Sequence, residues 1–228
     1  LAIETCTPEG SLAVSKGENV LTSRQWGSQG SHSNVITQQL EDCLKESGLQ
    51  LKDLGAIIVG VGPGSFTGIR IGLNLAKSLA YAFDLPVYEF SSLINCAEPA
   101  AKNGKTIVFS AMNAFRNLYY CSKYQQRSDG FLEIISPESA LTIEEITVLL
   151  DHTDCVVGDA ASSLHSELAS KKIEIFSAGL TPIAANYVPL FFRQTKVESS
   201  IGATAKVWNQ VAPLYVRASE AEEKLKKT

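Results

Sequence analysis

At 228 residues the chain can bury a substantial core, as one large domain or two modest lobes. Hydrophobic residues at 45% and charged residues at 19% exclude a disordered or fibrous class. A formal charge of -4, with no basic run before the tail, speaks against a chain that grips nucleic acid alone, because neutralising phosphates takes clustered Lys and Arg.

Residues 1–5 read as a strand that stops at Thr5-Cys6-Thr7-Pro8. Residues 12–15 and 20–26 read as two more, joined by the turn-prone Lys16-Gly17-Glu18-Asn19. After a polar loop at 27–33, a helix is predicted from about Asn34 to Ser47. Val35, Ile36, Leu40, Cys43 and Leu44 fall at helical spacing, and Gly48 stops it. Residues 56–61 form a short buried strand, which enters a glycine-rich run and then a long helix reaching Phe83. Residues 86–90 are a further strand, and Ser91 or Ser92 caps the next helix.

From Lys105 the order nearly repeats. Strands are predicted at 106–112, 118–124 and 131–136, then a helix at 142–150 with Glu144 and Glu145 in its first turn. A strand at 154–157 enters Gly158-Asp159-Ala160, followed by a helix at 162–169 and a strand at 173–176. Val59-Gly60 and Val157-Gly158 occupy matching places, which suggests an internal duplication of α/β lobes with mixed sheets. Residues 194–205 read as a polar loop, 212–217 as an apolar segment that packs back on the body, and the stretch after Ala218 as a solvated helix. The scattered cysteines (Cys6, Cys43, Cys96, Cys121, Cys155) contain no CxxC pair and read as buried free thiols in a reducing compartment. No apolar run reaches the roughly 20 residues of a membrane span, and no leader is visible, so a cytoplasmic protein is expected.

The run Gly60-Val61-Gly62-Pro63-Gly64-Ser65-Phe66-Thr67-Gly68-Ile69-Arg70 concentrates the candidate chemistry. It is neither a Walker A sequence nor GxGxxG. Its backbone N–H groups either cradle a phosphate or serve a tight strand-to-helix connection. Beyond it, Gly68, Gly72, Ala76 and Ala80 recur every four residues and line one stripe. That stripe either packs inside the chain, for instance on the helix ending at Ser47, or forms a surface for another protein.

Metal and acid–base readings are thin. Ile36 stands where a second ligand one turn after His32 would be, so His32, like His152 and His165, reads as structural or solvated. Glu4, ending the first strand, either holds a metal-bound water near a nucleotide between the lobes or accepts from nearby loop N–H groups. Asp159 holds the analogous place in the second half and reads as a helix cap. Ser65 and Thr67 have no sequence-local base.

Leu1-Ala2-Ile3-Glu4-Thr5-Cys6-Thr7, the Gly62–Gly72 run and Ala76-Lys77-Ser78-Leu79-Ala80 together resemble the TsaB (YeaZ) family. Ser91-Ser92-Leu93, Val157-Gly158-Asp159 and Pro213-Leu214-Tyr215-Val216-Arg217 agree with it. The resemblance implies an actin-like ATPase (ASKHA) fold with lobes at 1–104 and 105–228, the first carrying the partner-binding helices. It implies a non-catalytic scaffold subunit of the complex that forms N6-threonylcarbamoyladenosine at position 37 of tRNA, with a metallopeptidase-like or ATP-binding enzyme of the same fold as the alternative. The implied partners are a TsaD-like catalytic subunit, a TsaE-like ATPase and, through the complex, tRNA; TsaC or a relative supplies the threonylcarbamoyl-adenylate. A homodimer is expected in isolation. No cofactor is expected on this chain, with ATP and a divalent metal at the partner subunits. The implied partner-binding residues are Gly68, Ile69, Arg70, Gly72, Leu73, Asn74, Ala76, Lys77 and Ala80, entered through Gly62, Pro63, Gly64, Ser65, Phe66 and Thr67. Glu4 and Asp159 are vestigial nucleotide-site candidates. Two departures stand out. Glu4 replaces the family's usual aspartate, and Met112-Asn113-Ala114-Phe115-Arg116 replaces an Asp-Ala-Arg-like turn.

Overall fold

The computed structural model describes residues 1–27, 32–114, 116–196 and 204–217. β1 (Ala2–Glu4) lies at the centre of the first sheet. On one side it pairs antiparallel with β2 (Gly10–Lys16), which pairs antiparallel with β3 (Asn19–Trp26). On the other it runs parallel to β4 (Ile57–Gly60), and β4 runs parallel to β5 (Val87–Phe90). Parallel neighbours need crossovers. α1 (His32–Ser47) links β3 to β4, α2 (Phe66–Phe83) links β4 to β5, and α3 (Ser92–Lys102) follows β5.

The second sheet repeats this plan. β6 (Ile107–Asn113) is central, with β7 (Tyr119–Gln126) and β8 (Leu132–Leu141) antiparallel on one side. β9 (Cys155–Val157) and β10 (Glu174–Ile175) run parallel on the other. α4 (Ile143–Leu149) and α5 (His165–Ser170) are the crossovers, and α6 (Tyr187–Lys196) follows β10. The orders β3-β2-β1-β4-β5 and β8-β7-β6-β9-β10 are the same topology twice. Two such lobes with mixed sheets are the actin-like ATPase (ASKHA) fold.

Strand alternation divides the core into layers. In the first sheet Ile3, Leu12, Ile57 and Val59 face α1 and α2, while Ala2, Ala13 and Ile58 face the interior. In the second, Phe109, Cys121 and Val156 face α4 and α5, while Val108, Tyr124 and Cys155 face the interior. The middle layer is exchanged. α3, from the first half, packs on β6 and β7. The turn Ala184–Asn186, from the second half, packs on β1 and β2, and Phe191 of α6 meets the Tyr88 ring of β5 at 4.6 Å. Pro99 inside α3 cannot donate to the carbonyl of Asn95. Asn186 Nδ2 donates to that oxygen instead, at 3.4 Å, so the proline's lost bond is repaired by the other half of the chain.

Several elements differ from expectation. α1 begins at His32 because the ring of His32 is anchored by tertiary bonds. The predicted helix at 162–169 is a 3-10 turn at Asp159–Ala161 followed by α5. α6 was not anticipated; its Pro189 sits third in the helix, where the missing N–H has no intrahelical acceptor to lose. Of the predicted loop at 194–205, residues 194–196 close α6 and 197–203 lie outside the described residues, as do the loop at 28–31 and the tail from 218. All five cysteines are free and buried. Among the described residues no helix is long and apolar enough to cross a membrane.

Candidate functional site

Ser65 caps α2, its Oγ accepting from the Gly68 N–H at 3.2 Å. Gly68, Gly72, Ala76 and Ala80 do form one buried stripe, but it faces β1 and its own sheet, not another helix. A Cβ on Gly68 would stand 2.0 Å from the carbonyl oxygen of Thr5, and one on Gly72 would stand 2.4 Å from Thr5 Oγ1. That hydroxyl donates to Gly68 O at 2.8 Å. Each glycine costs about 1 kcal/mol of helix propensity relative to alanine. The offset is this seating on the strand, which corrects the expectation of a stripe open to a partner. Gly68, Ile69, Gly72, Leu73, Ala76 and Ala80 are buried within the chain. Of the nine residues expected at a partner surface, Arg70 and Asn74 are exposed and Lys77 is half-buried. The outward face of α2 instead runs through Thr67, Arg70, Asn74, Ser78 and Tyr81, with α1 beside it.

The entry loop is likewise turned inward. The Ser65 N–H donates to Cys6 O at 2.7 Å, and Gly62 O accepts from the Ser92 N–H at 2.7 Å. A Cβ on Gly64 would lie 2.1 Å from Cys6 O, so this turn is pressed onto the β1–β2 connection. Gly62 and Pro63 are buried. These groups bind the fold to itself and do not present a phosphate cradle.

Between the lobes lies a cleft of about 580 Å³. Its walls include Thr7, His32 and Phe66 from the first half and Asn113, Arg116 and Asp159 from the second. Glu4 does not line it. The Glu4 side chain points into the middle layer and is wholly buried. Its Oε1 accepts from the Cys6 N–H at 2.6 Å; its Oε2 accepts from Ser92 Oγ at 3.0 Å and from the Tyr187 hydroxyl. Three donors therefore hold the carboxylate. Strand register fixes the counterpart position: Ile3 pairs with Val59 as Ser110 pairs with Val157, so Glu4 corresponds to Ala111. The second sheet thus has no carboxylate there.

Asp159 does line the cleft, but not as a helix cap. Its Oδ1 accepts from the Asn113 N–H at 2.8 Å and ties the end of β6 to the turn after β9. Burial raises its pKa, with the bond from Asn113 opposing and the charge of Glu9 adding. Glu4 and Asp159 are therefore not brought together as one site. His32 has both ring nitrogens engaged: Nδ1 accepts from Trp26 Nε1 at 2.9 Å, and Nε2 donates to Thr7 O at 2.9 Å. It is structural, as its spacing suggested. Burial, with the charge of Glu4 adding, pushes the Cys6 thiol well above its usual range, which makes it a poor nucleophile. Among the described residues no three His, Cys, Asp or Glu side chains gather as a metal site would require.

Residues 204–217 return across the first lobe, as the apolar character of 212–217 suggested. Lys206 bridges to Val87 beside β5, and Trp208 meets Tyr81 edge-on at 5.3 Å. Val211 is buried, and the Leu214 N–H donates to Val61 O at 2.8 Å. Tyr215 stacks on Phe66 with centroids 4.6 Å apart and accepts from Arg70 Nε at 3.1 Å. Arg217 donates to Ala114 O at 2.8 Å, reaching the second lobe. The sequence read 212–217 as packing back on the body and Ser91 or Ser92 as a helix cap, but named no partner for Tyr215 or for the Ser92 hydroxyl. Their partners, Phe66 and Glu4, lie far away along the chain. Nothing local marked Tyr187.

Residues 27–211 match a family model described as "TsaD: tRNA N6-adenosine threonylcarbamoyltransferase". The tRNA threonylcarbamoyladenosine biosynthesis protein TsaB of Escherichia coli (strain K12) is 35% identical over 150 residues, covering 63% of this chain and 62% of that protein. The match therefore spans less than two thirds of the E. coli protein. The protein of the same name from Bacillus subtilis (strain 168) is 27% identical over 234 residues, covering 98% of this chain and 96% of that one. A crystal structure of an uncharacterized protein with similarity to peptidase YeaZ, from Pseudomonas aeruginosa, superposes with a TM-score of 0.81 at 26% identity, covering 95% of this chain and 98% of that one. On the family-model match, these relatives and the duplicated topology, the chain belongs to the TsaB (YeaZ) family.

Proposed function

We propose that this chain acts in the biosynthesis of N6-threonylcarbamoyladenosine in tRNA, as a non-catalytic subunit that pairs with a TsaD-like catalytic protein and helps recruit a TsaE-like ATPase. ATP and a divalent metal work at those partners, and tRNA is met through the complex. The observation that carries this reading is the state of Glu4. A carboxylate serving a nucleotide between the lobes would have to face the cleft; Glu4 is instead buried, held by three donors, and answered by Ala111 in the other lobe. What remains for function is surface, and the outward faces of α1 and α2 are the candidate surface for the TsaD-like partner. A homodimer in isolation would use the same faces.

Asn74 and Ser78 lie one turn apart on the exposed face of α2. The double variant Asn74→Arg, Ser78→Arg should weaken pairing with a TsaD-like protein at least about tenfold, by steric and charge mismatch, with an unchanged melting temperature. Light scattering or a titration of the mixed proteins reads it; pairing at wild-type strength would overturn the interface. Calorimetry with ATP and magnesium tests the rest, because micromolar binding to the isolated chain would overturn the non-catalytic reading.

A further inference from the structure

The end of the returning segment touches both sides of the interlobe cleft. Leu214 is fastened to the first lobe by the bond from its N–H to Val61 O, at the foot of the glycine run. Tyr215 then meets two residues of α2 at once. Its ring stacks on Phe66, a wall of the cleft, and its hydroxyl accepts from Arg70, which is exposed on the outward face. Two residues on, Arg217 crosses to the second lobe and donates to Ala114 O at 2.8 Å. Arg217 and Ala114 both line the cleft.

Ala114 stands where β6 leaves its sheet, and its N–H donates to Leu118 O at 2.9 Å to close the turn into β7. The Asn113 N–H beside it donates to Asp159 Oδ1 at 2.8 Å. Arg217 therefore grips the tip of the β6–β7 hairpin from the opposite lobe. Two residues of chain span at most about 7 Å, so Tyr215 cannot shift far without carrying Arg217 with it. On the interior side the lobes are joined by the exchanged middle layer. At the mouth, the like charges of Glu9, from the first lobe, and Asp159, from the second, work to part the walls.

We propose that residues 214–217 are a clasp linking the outward face of α2 to the mouth of the cleft: Arg70 fixes Tyr215, and Tyr215 fixes the grip of Arg217 on the second lobe. Arg70 is a positioning residue, acting on the hairpin only through Tyr215. A molecule that draws the Arg70 guanidinium away from Tyr215 loosens the grip and lets the mouth open. The clasp is a property of the free chain and stands apart from the partner reading above.

The test is hydrogen exchange of the whole chain, read by NMR at the Asn113 and Ala114 amides. Arg217→Ala should speed exchange there at least about threefold, because it removes a charged hydrogen bond to the hairpin. Arg70→Ala, in the other lobe, should do the same. So should Tyr215→Phe, which keeps the ring and removes only the hydroxyl that Arg70 holds. Added to Arg217→Ala, Arg70→Ala should change the rate by less than about 1.5-fold, since the link is already broken. The amides of β9 should keep their wild-type rates in every variant, which separates a local release from a general loss of stability. Lys52→Ala, exposed and away from the clasp, should leave all these rates unchanged. Three results would overturn the clasp: wild-type exchange at Asn113 and Ala114 in Arg70→Ala, an Arg70→Ala effect that persists undiminished in the Arg217→Ala background, or an equal acceleration in β9.

Discussion

Replacing Gly68 by alanine separates two readings of the small-residue stripe. On a solvent-facing or partner-facing helix the change should stabilise the free protein by about 1 kcal/mol, since alanine is the better helix former. Here the new Cβ would sit 2.0 Å from the Thr5 carbonyl oxygen, a backbone atom that has no rotamer to escape into. Carbon–oxygen contacts settle near 3.3 Å, so α2 and β1 must part by roughly 1 Å. Overpacking of this kind costs about 1–3 kcal/mol. The bond from Thr5 Oγ1 to Gly68 O, at 2.8 Å, is stretched as well, for about 1 kcal/mol more. After the propensity gain, the net loss is about 1–3 kcal/mol, or a fall of roughly 3–10 °C in melting temperature for a chain of this size. Thermal unfolding followed by circular dichroism measures it. Gly55→Ala is the control: a Cβ there meets nothing within 4 Å, so its effect should stay within about 0.5 kcal/mol. A Gly68→Ala protein that melts at or above the wild-type temperature would refute the seating of α2 on β1.

Glu4→Gln should lower stability in chemical denaturation by about 1.5–3 kcal/mol, because the amide turns an N–H toward groups that donate to the carboxylate; an unchanged midpoint would mean those donors do not need the charge. The pKa of Asp159 is raised in the folded state from 3.8, chiefly by burial, so the unfolded chain releases that proton first as pH rises. The ionised carboxylate therefore costs stability above its folded pKa and nothing below 3.8. Asp159→Asn keeps an acceptor for the Asn113 N–H, so it should raise the melting temperature at pH 7, with the gain shrinking toward pH 3.8; a loss at pH 7 would reverse the assignment. Tyr215→Ala removes the stack on Phe66, worth about 0.5–1.5 kcal/mol, and should speed tryptic cleavage at Lys206; an unaltered cleavage rate would show that the stack does not hold the returning segment.

The order of strands and helices was legible because it rests on local periodicity, as in α1, where Ile36, Leu40, Cys43 and Leu44 mark one buried face. The duplication was legible through Val59-Gly60 and Val157-Gly158, which occupy matching register positions. What lay beyond the sequence was the identity of partners. Periodicity showed that Gly68 and Gly72 share a face, but not that Thr5 lies against it. The position of Glu4 suggested a strand-end carboxylate, but its fate is decided by Ser92 and Tyr187, which arrive from elements far along the chain. α6 was hidden for a different reason, since Pro189 breaks a helix only where an N–H is needed.

The exchanged middle layer bears on how the molecule can be made. The first half leaves the ribosome with the inner face of its sheet bare, because the turn at Ala184–Asn186 and α6, which cover it, are synthesised last. Its own α3 waits meanwhile for β6 and β7. Neither half can reach its final core before the other exists, so a chain built by repeating one unit matures in a single late step. Splitting the gene between α3 and β6 should yield two fragments that are insoluble when made apart and recover structure only when made together.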